Sequence, residues 1–96
     1  MSDTPSEAMT ADIVRWLIKT QHDAANQGCL AIWTVYDHPS DYPDAYLARM
    51  HEVPGGPTAL TLLGEPEFLR KWFQAAGLHC LARDDDDDKK IVETWV

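Results

Sequence analysis

Cys29-Leu30-Ala31-Ile32-Trp33-Thr34-Val35-Tyr36 is the stretch that decides the fold. Seven of its eight side chains are apolar or aromatic, and β-branched and aromatic residues dominate. Such a run reads as a central strand with both faces at least partly covered. Turn-forming residues follow it at once, in Asp37-His38-Pro39-Ser40-Asp41-Tyr42-Pro43-Asp44. A second strand of mixed polarity is expected over residues 45–53, a turn at Pro54-Gly55-Gly56-Pro57, and a third strand over 58–63.

Helical patterns flank this three-strand unit. Upstream, Thr10 is the expected N-cap of a helix over 11–27, which Gly28 stops. Ile13, Val14, Leu17, Ile18, Gln21, Ala24 and Ala25 fall on one side of that helix, and Trp16 lies at the edge of the stripe. Downstream, Pro66 suits the first turn of a second helix. Phe68, Leu69, Trp72, Phe73 and Ala76 form its apolar stripe, and Gly77 ends it. Residues 78–83 and 91–96 read as a terminal hairpin around a charged loop.

The order is thus α-β-β-β-α-β-β. It predicts an α+β two-layer sandwich, with a mostly antiparallel five-stranded sheet and both helices on one face. The other face is left to solvent or a partner, and Trp33, Tyr46 and Trp95 are candidates to lie there. Residues 1–9 are read as a flexible leader and 10–96 as a single domain, since 96 residues support one core. The acidic, polar opening has no basic segment leading into an apolar one, so no secretory signal is read there. No apolar run reaches the roughly 20 residues that span a bilayer, so a cytoplasmic location is expected.

The net charge is −8, and Asp84, Asp85, Asp86, Asp87 and Asp88 carry −5 of it, which leaves −3 for the rest. Direct contact with nucleic acid or an anionic membrane is disfavoured, because both demand positive charge. A basic protein surface, such as that of a nucleic-acid-binding protein, is the natural partner of the aspartate run, with Trp16 as an accompanying aromatic contact. Calcium is not expected there. Counted from Asp84, the EF-hand positions that require Gly and Glu are occupied by Lys89 and Trp95.

Enzymatic chemistry finds little support. Ser40 is the only serine beyond residue 6 and has no GxSxG around it. Cys29 and Cys80 form no CxxC pair and read as reduced thiols packed in the core. His79 and Cys80 are adjacent, so on a strand they point to opposite faces. Gly55-Gly56 lacks the Lys-Ser/Thr of a phosphate loop. No cofactor is expected. The alternative is a metal-binding protein or metal-dependent enzyme in which Asp37, His38, Asp41 and His51 supply oxygen and imidazole ligands.

Residues 31–49, from Ala31-Ile32-Trp33-Thr34-Val35-Tyr36-Asp37-His38-Pro39 onward, together with Ile91-Val92-Glu93-Thr94-Trp95, resemble a group of short uncharacterised bacterial proteins. The likeness spans about residues 30–53 and 78–96. It implies a bacterial or phage source and one compact domain, with the helix at 11–27 as an addition, and it carries over no catalytic residue. The resulting expectation is a non-enzymatic, acidic interaction module. One form of it is an inhibitor of a basic nucleic-acid-binding protein, like anti-CRISPR and other mobile-element proteins in size and charge. A homodimer through the open sheet face is a further expectation.

Overall fold

A computed structural model describes residues 6–81 and 90–96. The elements are α1 (Glu7–Asn26), β1 (Leu30–Asp37), β2 (Tyr46–Val53), β3 (Gly56–Leu63), α2 (Pro66–Ala75), β4 (Cys80–Leu81) and β5 (Ile91–Trp95). The five strands form one sheet in the order β3-β2-β1-β5-β4, and every neighbouring pair is antiparallel. This is the α+β architecture expected from the sequence.

Helix α1 begins one turn before the expected start. Ser6, not Thr10, is the N-cap: its hydroxyl accepts the Met9 N–H at 3.1 Å. Both helices end in the same way. Gly28 (φ 77°) and Gly77 (φ 87°) are left-handed. The following N–H reaches back into the last turn, Cys29 to the Ala24 carbonyl and Leu78 to the Phe73 carbonyl, each at 2.9 Å. This is the Schellman arrangement, which satisfies carbonyls that the helix itself leaves open.

The core lies between the sheet and the two helices. Cross-strand register places Ala31, Trp33 and Val35 of β1 beside Met50 and Ala48 of β2 and Trp95 of β5, all on one face. Leu17 and Ala24 of α1 and Leu69, Trp72 and Phe73 of α2 complete the cluster with Leu78. Phe73 stands between two indoles, with ring centroids 5.8 Å from Trp33 and 5.5 Å from Trp95.

The buried stripe of α1 is rotated from the expected one. Leu17, Thr20 and Ala24 are buried, whereas Ile18 and Ala25 are exposed. The half-buried Trp16 takes up the space by meeting Trp33 edge-on at 5.6 Å. The candidates for the open sheet face are also corrected. Trp33 and Trp95 are buried under the helices, and Tyr46 packs partly against the same cluster. The thiols are free; Cys29 is partly buried and packs against the edge of the core, whereas Cys80 is exposed and is not a core thiol. No helix among the described residues is long and apolar enough to cross a membrane.

Candidate functional site

Both helices pack on the Trp33 face, which leaves the opposite face of the sheet as the one uncovered by helix. Side chains alternate along a strand. Leu30, Ile32, Thr34 and Tyr36 of β1 therefore share this face with Leu47, Arg49, His51 and Val53 of β2 and with Leu63, Thr94 and Leu81 of the flanking strands. Four of these are large and exposed: Leu30 at 53%, Val53 at 51%, Leu63 at 48% and Leu81 at 46%. Leu30 and Val53 are direct cross-strand partners. Leu63, opposite Leu47, lies at the other end of β2 from the Leu30–Val53 pair, and Leu81 stands on the outer strand at the far side of the sheet.

One end of this face is strapped by the loop between β1 and β2. The loop is closed by its own hydrogen bonds: Tyr42 N–H to the Pro39 carbonyl at 2.9 Å, Ala45 N–H to Tyr42 at 3.3 Å, and His38 N–H to Ala45 at 3.1 Å. His38 adopts φ 47°, a left-handed backbone uncommon for a non-glycine residue. Its ring stands edge-on to Tyr46 at 4.9 Å. Asp41 then accepts from Nη2 of Arg49 at 2.7 Å, tying the loop to the sheet face. Leu47, two residues before Arg49 and on the same face, is fully buried although it stands outside the helix-side cluster.

The polar groups of the face pair with one another. The Arg49 hydrogen bond holds the Asp41 carboxyl below the usual carboxylate range. Tyr36 Oη lies 3.3 Å from Nε2 of His51. Partial burial, and secondly the charge of Arg49, push the His51 imidazole below its ordinary value.

The four residues proposed as metal ligands are therefore not gathered. Asp41 is engaged by Arg49, His51 faces Tyr36, and His38 pairs through Nδ1 with its neighbour Asp37. Among the described residues, no group of three or more His, Cys, Asp or Glu side chains is placed to hold a metal ion. Cys80 is equally unsuited to nucleophilic work. Burial first, and then the Glu93 carboxylate, push its thiol up, the reverse of what thiolate reactivity needs. Asp84, Asp85, Asp86, Asp87 and Asp88 lie outside the described residues. Trp16 lines a groove between α1 and the β2–β3 side of the sheet, with Lys19, Asp23, Gln27, Glu52 and Leu60.

Sequence reasoning did not find Arg49, Tyr36 or the exposed aliphatics as a group. Their common signal is the odd–even alternation of β2 matched to β1, which becomes readable only once the register is known. No protein-family model, curated protein or solved structure matches this chain.

Proposed function

We propose that the chain is a non-enzymatic, acidic protein-interaction module of bacterial or phage origin that acts in the cytoplasm, and that the helix-free sheet face is its contact surface. The observation that carries this reading is the collection of Leu30, Val53, Leu63 and Leu81 on one face, beside the Arg49–Asp41 and Tyr36–His51 pairs. The aliphatics border the face, with Leu30 and Val53 at one end, Leu63 at the other and Leu81 on the outer strand β4, so a partner laid across it would meet apolar contacts around a hydrogen-bonding middle. The net charge of −8 selects a basic partner. In its sharpest form the module is an inhibitor of a nucleic-acid-binding protein, offering carboxylates where that protein expects phosphates.

The test is a pull-down from a nuclease-treated bacterial lysate with three baits. These are the wild type, a variant with Asp84 to Asp88 changed to Asn, and Val53→Ser/Leu30→Ser. A basic partner held by the wild type, weakened by either variant and released steeply with salt supports the reading. A partner held equally by all three baits, or none at all, overturns it.

A further inference from the structure

We propose that strand β3 is a self-pairing edge, through which two copies of this chain join their sheets antiparallel about a two-fold axis at Thr61. This does not depend on the interaction reading above, because it uses the edge of the sheet and not its face. β3 is the outermost strand on the β2 side. Its sequence, Gly-Pro-Thr-Ala-Leu-Thr-Leu-Leu, has no charged side chain. Edge strands of monomers are usually guarded by lysines or other inward charges, by bulges, or by cover. Among the described residues, the guard lies at one end. The β2–β3 register slips between Arg49 and His51. There the Thr58 hydroxyl donates to the Met50 carbonyl at 2.9 Å and accepts the Leu60 N–H at 3.1 Å. From Ala59 to Leu63 the described residues supply no such device.

Backbone direction selects the pairing. Gly64 N–H donates to the Tyr46 carbonyl, so in the antiparallel alternation Leu62 also faces β2, opposite Ala48. Thr61 and Leu63, opposite Arg49 and Leu47, then turn their N–H and C=O groups outward. A second β3 centred on Thr61 meets these groups in phase, with Thr61 opposite Thr61 and Leu63 opposite Ala59. Threonine pairs of this kind are favourable across strands. Leu60 and Leu62 of the two copies adjoin on the other face, where Leu60 is exposed.

Charge argues for a second copy in this orientation. A chain of net charge −8 repels itself over most of its surface, and β3 brings no charged side chain of its own to a seam between two copies. In the antiparallel arrangement Glu65 falls near Pro57 of the other copy. A parallel, in-register arrangement would set Glu65 beside Glu65.

The experiment is sedimentation equilibrium of the purified full chain over a wide concentration range, with amide exchange of β3 in parallel. The expected result is a concentration-dependent doubling of mass, with exchange at Thr61 and Leu63 slowing as dimer forms. Thr61→Lys places two ammonium groups face to face and should weaken dimerisation about tenfold or more, with the circular dichroism spectrum unchanged. Thr61→Pro, which removes an outward N–H that β2 does not use, should do the same. A monomer at every concentration overturns the proposal. So does a dimer indifferent to both substitutions.

Discussion

The indole N–H of Trp33 donates to Oε1 of Gln21 at 3.1 Å, and Nε2 of the same amide donates to the Ala31 carbonyl at 3.3 Å. The two bonds fix the amide orientation, since an indole can only donate and a carbonyl can only accept. They also explain a polar residue on the apolar stripe of α1. Trp33 is fully buried, and without Gln21 its N–H would have no partner in the core.

Gln21→Leu should therefore destabilise the protein by about 1–3 kcal/mol, the cost of an unsatisfied buried donor. Chemical denaturation measures it. Trp33→Phe in the same background removes the orphaned donor, so the Gln21→Leu effect should shrink there. An equal effect in both backgrounds would show that packing, not the hydrogen bond, is at stake.

His51 gives a pH dependence with a defined sign. Its folded value lies below the ordinary 6.5, chiefly through burial. Its contribution to stability is therefore complete above about 6.5 and is lost as pH falls from there through the folded value, because the unfolded chain binds the proton first. Urea midpoints should fall between neutral pH and the mildly acidic range, and His51→Gln should reduce that fall. Arg49→Met should raise both the His51 and the Asp41 titrations in NMR, since Arg49 lowers each. The Asp41 change should bring little stability loss, because the carboxylate is exposed.

Thr58→Val keeps the shape of the side chain and removes the hydroxyl that serves both Met50 and Leu60. It should cost about 1 kcal/mol in thermal or chemical denaturation, and the Leu60 amide should exchange faster. Thr58→Ser, which retains the bridge, should lie close to the wild type. If Ser and Val behave alike, the hydroxyl does not hold the strand irregularity together.

The element order, the Phe68–Phe73 stripe of α2 and the two glycine helix stops were all legible in the sequence, because each rests on local periodicity or on a backbone conformation that only certain residues adopt easily. The parity of β1 was not legible. A strand apolar at nearly every position gives no sign of which alternate set faces the helices, and this is why Trp33 and Trp95 were candidates for the wrong face. Only tertiary packing decided it, through the fit of two indoles around Phe73 and the single amide that satisfies Trp33. Once that parity is set, the other face follows by alternation. Leu30 meets Val53 from a distant position in the chain, Leu63 joins the same face at its other end, and Asp41 is drawn to Arg49 and away from the histidines. Such contacts depend on register between strands, which no short window of sequence encodes.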